Sequence, residues 1–154
     1  MKTENSKILI IGIGNEFRSD DACGLIAAKK LKRKMNTSVR IIEHSDDGAS
    51  LMEEWKDYDD VLIIDAVCLG KKPGTIHAFN ANKEKLPSEK THHSSHIFGL
   101  NDAVETARAL NKLPANLRIY GIEGKSFAAG TAVSSLVQKG IDEVVNKIVE
   151  YVRK

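Results

Sequence analysis

The chain has 154 residues, 42% of them apolar and 29% charged. That is the size and make-up of one globular domain with its own core, expected to span residues 1–154, and it excludes a disordered tail, a fibre and a disulfide-rich miniprotein. The charge, 23 basic against 21 acidic residues for a net +2, gives no electrostatic case for a nucleic-acid or membrane-surface binder.

Ile8 to Ile13 reads as a buried strand, continuous and β-branched, ended by Gly14-Asn15. It is too short to cross a bilayer, and the charged Glu16, Arg18, Asp20 and Asp21 stand where a signal-peptide cleavage site belongs. The sequon Asn36-Thr37-Ser38 is therefore read as chance, and a reducing cytoplasm is the expected setting for Cys23 and Cys68. Helical spacing runs from Asp20 to Met35, with Asp20 as the expected N-cap. Val39 to Ile42 is a second strand, and Leu51 to Trp55 belongs to a short helix. Val61 to Ile64 is a third strand, with Asp65 at its C-terminal end. Pro73-Gly74 marks a turn into an alternating strand, Thr75 to Phe79. Asn80 to Lys90 is polar and reads as a loop, and Ile97 to Leu110 returns to helical spacing. Leu117 to Ile122 is the last strand, and Ile141, Val144, Val145, Ile148 and Val152 trace one face of a C-terminal helix.

Strands alternating with helices predict an α/β fold, a mostly parallel twisted sheet flanked by helices on both faces. Function in such sheets gathers at the carboxyl ends of the strands. There the first loop holds Gly12-x-Gly14, half of a dinucleotide fingerprint. Phe17 replaces the third glycine, and Asp20-Asp21 would repel a phosphate at the helix start. A nucleotide site is disfavoured. Of the two aspartates, Asp20 reads as the helix cap and Asp21 as the one able to face the strand ends. Glu16 reads as a solvated loop charge. Asp65 needs a partner if partly buried, either the amides of Ala66 and Val67 or a cation.

Histidines cluster at His92, His93 and His96. The zinc-protease helix pattern is absent, since Glu is required where His93 stands. His44 and His77 carry no pattern of their own. There is no nucleophile elbow. Cys23 reads as core, and nothing marks Cys68 as reactive. Two carboxylates and one imidazole from three loops remain: Asp21, Asp65 and one of the three clustered histidines. Such a donor set suits a divalent transition ion and leaves open positions for a substrate.

Taken in order, several segments resemble the hydrogenase maturation proteases. They are Ile10-Ile11-Gly12-Ile13-Gly14-Asn15, then Asp20-Asp21, Ile63-Ile64-Asp65-Ala66, Pro73-Gly74-Thr75, Ser95-His96-Ile97-Phe98-Gly99-Leu100 and Tyr120-Gly121-Ile122-Glu123, with Ser134 before the last helix. The resemblance implies a five-stranded, phosphorylase/hydrolase-like sheet. It also implies an aspartic-type endopeptidase that removes a C-terminal extension from the nickel-loaded precursor of a nickel-iron hydrogenase large subunit. It places the catalytic and metal-contacting positions on Asp21, Asp65 and His96, which selects one histidine of the three. Nickel is expected to arrive with the substrate and to act as the recognition element, and other divalent ions can take its position. A monomer with no nucleic-acid or membrane partner is expected. Two departures stand out. Ala22 occupies a position where the family commonly has Gly. His44-Ser45-Asp46-Asp47-Gly48-Ala49 replaces the family's Asp-Gly-Gly-Thr stretch, so that Asp46 or Asp47 can join the site or remain solvated loop charges. The competing expectation is a nickel-binding assembly factor of the same fold that does not cut.

Overall fold

The computed structural model describes residues 7–35, 38–87 and 99–153. The sequon at 36–38 and the histidines at 92, 93 and 96 lie wholly or partly outside them. In chain order the elements are β1 (Ile8–Ile13), a 3-10 turn (Ser19–Ala22), α1 (Cys23–Lys34), β2 (Val39–His44), α2 (Gly48–Trp55), β3 (Asp60–Val67), β4 (Ile76–Asn80), α3 (Leu100–Ala109), β5 (Asn116–Glu123) and α4 (Ser135–Arg153). The strands form one five-stranded sheet in the order β2-β1-β3-β5-β4. All neighbours are parallel except β4, which runs antiparallel to β5.

The sheet is buried on both faces, which is why β1 and the start of β3 read as unbroken apolar runs. Ile8, Ile10, Leu62 and Ile64 pack on one face under α1 and α4. Leu9, Ile11, Ile13, Val61 and Ile63 pack on the other under α2 and α3. Among the described residues no helix is long and apolar enough to cross a membrane.

Several boundaries differ from the sequence expectation. β3 runs two residues past Asp65, because Asp65, Ala66 and Val67 continue the ladder to Gly121, Ile122 and Glu123. α2 begins at Gly48, since Asp47 caps it: the Ala49 amide and the Ser50 hydroxyl both donate to its carboxylate, at 3.2 and 2.9 Å. Asp47 is thus a helix cap and not a solvated loop charge. The α1 segment starts with a 3-10 turn, and Asp20 caps nothing.

Two glycines explain how that turn reaches the strand ends. A Cβ on Gly14 would lie 2.1 Å from the Asp21 carbonyl oxygen. One on Gly24 would lie 2.2 Å from the Ile13 carbonyl oxygen and 2.4 Å from that of Ile64. The Gly-x-Gly spacing therefore serves close helix-on-strand packing and not a phosphate cradle.

Candidate active site at the carboxyl edge of the sheet

Asp20 and Asp21 are neighbours in sequence and opposites in environment. Asp20 is fully buried. Its carboxylate accepts from the amides of Lys125, Ser126 and Ser134 at 2.8, 3.0 and 2.7 Å, and from the Ser134 hydroxyl at 2.8 Å. Burial alone would raise its pKa, but these hydrogen bonds outweigh it and hold the carboxyl below its usual value. The role expected for Asp20, a helix cap, is corrected: it pins the 124–134 loop from more than a hundred residues away.

That loop is stitched to the segment before the turn. The Ser19 amide donates to the Gly130 carbonyl at 2.9 Å, the Gly130 amide to Phe17 at 2.8 Å and the Asp20 amide to Ser126 at 3.0 Å. The Ser19 hydroxyl adds a bond to the Ala128 carbonyl at 2.7 Å. Ser19 adopts a φ of 53° here, a left-handed conformation unusual for a non-glycine residue. With Asp20 committed to the loop, Asp21 is left for the strand ends.

Asp21 is half-buried and has no comparable set of donors among the described residues. Burial pushes its carboxyl up to about 6, and the Asp46 carboxylate adds to that push. The Arg18 guanidinium and the Asn15 amide oppose it. Asp46 is itself no loop ornament: its Oδ1 accepts from the Leu100 amide at 2.9 Å, tying the end of β2 to the start of α3. Asp65 is partly exposed and accepts from the Ala66 amide at 2.8 Å. The Cys23 thiol lies under the group. Burial raises its pKa first, and then Asp65, Asp21 and Asp20 raise it further, so all three carboxylates act on one buried sulfur. Such a thiol is an inert core group and not a nucleophile. Glu16 is exposed, as expected of a loop charge.

The structure thus brings Asp21, Asp46 and Asp65 to one edge. Among the described residues no three His, Cys, Asp or Glu side chains form a group able to hold a metal ion. His96, the expected third ligand, lies outside those residues.

A raised carboxyl pKa has a measurable consequence for stability. The folded chain holds the Asp21 proton more tightly than the unfolded chain, so its contribution is full below about pH 4 and is lost as pH rises through about 6. The shift corresponds to about 3 kcal/mol, which partial exposure to solvent reduces to about 1–2 kcal/mol. Asp21→Asn should therefore stabilise the fold by that amount at pH 7.5 and by nothing at pH 4. Urea unfolding at the two pH values measures it, and a variant less stable than the parent at pH 7.5 would contradict the assignment.

One arrangement had no signal in the sequence. Glu123, at the end of β5, is only 2% exposed, yet it meets His77 of β4, with 3.1 Å between Oε1 and the ring Nε2. The Leu69 amide donates to both of its oxygens, at 3.1 and 2.9 Å. The pair is 46 residues apart in sequence and joined only by the β4–β5 pairing.

Comparison with known proteins agrees with this architecture. The family model HycI, hydrogenase maturation protease, matches residues 26–151. The hydrogenase 2 maturation protease of Escherichia coli K12 is 24% identical over 96% of this chain and 92% of its own length. The solved structure of the [NiFe] hydrogenase maturation protease HybD from Thermococcus kodakarensis superposes with a TM-score of 0.75 at 30% identity, covering 96% of this chain and 99% of that one. The maturating endopeptidase HybD of E. coli superposes with a TM-score of 0.78 at 22% identity, a likeness of fold. The extent of the family match and the similarity to the Thermococcus protein place this chain among the hydrogenase maturation proteases, which makes it a peptide hydrolase.

Proposed function

We propose that this endopeptidase removes a C-terminal extension from the nickel-loaded precursor of a nickel-iron hydrogenase large subunit, and that Asp21, Asp65 and His96 read the nickel that the precursor carries. The observation that carries the reading is the state of Asp21. A half-buried carboxyl raised to about 6 beside a second carboxylate, in spite of the Arg18 guanidinium, calls for a further cation. A nickel ion already ligated by the precursor supplies one and leaves positions for the protease's own donors. Oxygen donors from Asp21 and Asp65 and a nitrogen from His96 fit a divalent ion of that kind.

His96 stands three residues before Gly99, which packs against Asp46. A chain of that length spans at most about 11 Å, which permits His96 to serve the acidic edge. Docking by this route tests for nickel before cleavage, because a precursor without the ion presents nothing to the carboxylates. A proton competes with the ion for Asp21, so docking should weaken below about pH 6. No disulfide joins Cys23 and Cys68, which supports a reducing cytoplasm as the setting, and the reading requires only a monomer.

Asp21→Ala and His96→Ala should each abolish processing of the nickel-loaded precursor, and complex formation in a native gel should fall with it. Normal cleavage by either folded variant would remove the nickel-reading role from that residue.

A further inference from the structure

Across β3, β5 and β4 one lateral row of the sheet reads Asp65, Gly121, His77. Laterally paired residues point to the same face, so Asp65 and His77 both project on the side covered by α3. Their backbones are two strand spacings apart, about 9–10 Å. The residue between them carries no side chain, and the Val67 side chain lies over it, 2.7 Å from where a Cβ on Gly121 would stand. Behind His77 stands Glu123, and the ring stacks on Phe79 with the planes 2° apart and the centroids 6.2 Å apart. The imidazole is therefore fixed from two sides while 15% of the side chain stays exposed.

The hydrogen bonds also set its tautomer. A carboxylate only accepts, and Glu123 already receives the Leu69 amide on both oxygens. In a neutral ring the nitrogen facing it, Nε2, carries the proton and Nδ1 keeps a lone pair. A base nitrogen free on one side and a buried carboxylate orienting the ring from the other is the arrangement used to move protons in acyl transfer.

Resting on the protease reading above, we infer that His77 is the general base and acid of peptide hydrolysis in this enzyme and that Glu123 is its positioning residue. His77 Nδ1 takes a proton from a water whose oxygen bonds to the scissile carbonyl carbon. The tetrahedral intermediate then collapses, the C–N bond breaks, and the same proton passes from Nδ1 to the departing amine nitrogen. One water is consumed, and a carboxylic acid and an amine result. The row places this chemistry two strands beyond Asp65, so the residues that dock the precursor and the residue that moves its protons are different side chains on one face of the sheet.

The test is single-turnover cleavage of a nickel-loaded large-subunit precursor, followed by mass, with half-saturating concentration and saturated rate measured separately. His77→Gln should keep the half-saturating concentration within about threefold and lose roughly 100-fold or more in rate, the usual worth of a general base. Glu123→Gln should also lose rate with affinity kept. Added imidazole should restore part of the rate of His77→Ala and do nothing for Asp21→Ala. The inference is overturned if folded His77→Gln cuts at the parental rate. It is equally overturned if precursor affinity falls together with rate and imidazole restores nothing, since that marks a purely structural pair. A parent protein that does not cut would sink the protease reading itself, and this inference with it. A parent that cuts alongside an unimpaired His77→Gln leaves that reading standing.

Discussion

Gly24→Ala should be among the most damaging single-methyl substitutions in the protein, lowering stability by about 3–5 kcal/mol. The added carbon would sit 2.2 Å from the Ile13 carbonyl oxygen and 2.4 Å from that of Ile64, with the Ile13 amide nitrogen at 2.8 Å. These atoms belong to the backbones of β1 and β3, which are paired to each other. Neither can retreat without breaking the ladder, and no flexible side chain is available to yield. Relief requires α1 to lift off both strands. That motion would open the packing of Ala27, Ala28 and Leu31, all fully buried. Total stabilities of domains are on the order of 5–15 kcal/mol, so a loss of this size consumes much of the margin. Urea unfolding measures it directly. A loss under about 1 kcal/mol with an unchanged denaturant slope would show that the helix start is less tightly seated than these distances require.

The second large effect is expected at Asp20. Replacement by alanine leaves three backbone amides and one hydroxyl without their acceptor in a position that water does not reach. Each unsatisfied buried donor costs about 1–3 kcal/mol, and opening of the 124–134 loop to solvent limits the sum to about 3–5 kcal/mol. The loop should become the first site of limited proteolysis. The pH dependence has a definite sign. The folded carboxyl titrates below its ordinary value, so its contribution is present above the unfolded pKa of about 3.8 and is lost as pH falls through the folded one. The gap in stability between parent and Asp20→Ala should therefore be full at neutral pH and close in acid; the Asp21→Asn gap also closes in acid, but there the variant is the more stable protein. A gap that is constant between pH 7 and pH 3 would contradict the ionised, multiply bonded state of Asp20.

These cases show what a sequence of this kind discloses. The strands of the sheet's centre announced themselves because burial on both faces requires unbroken apolar runs, as in Ile8 to Ile13 and Val61 to Ile64. Asp65 stood out because a carboxylate following such a run has to be accounted for. The distinction between Asp20 and Asp21 was legible only in part. That one of them is structural followed from their adjacency, but the structural partner of Asp20 lies 105 to 114 residues away, and a cap was the nearest local explanation. Asp46 and Asp47 read as solvated loop charges for the same reason. One caps α2 and the other holds the start of α3, and neither bond can be inferred before the helices are placed. His77 carried no pattern and Glu123 entered only as the end of a quoted segment; their pairing carried no signal, since it depends on β4 running antiparallel along the edge of β5. Helix and strand periods report which face a residue occupies. They do not report which residue from another strand shares that face.

The account's central claim is that cleavage is conditional on nickel held by the precursor. Intact-mass measurement of a large-subunit precursor, loaded with nickel or left without it and incubated with this protein, tests the claim most directly. Loss of a short C-terminal peptide from the nickel-loaded precursor alone is the predicted result. Equal cleavage of both forms, or cleavage of neither by a protein that nonetheless forms the complex, would contradict it.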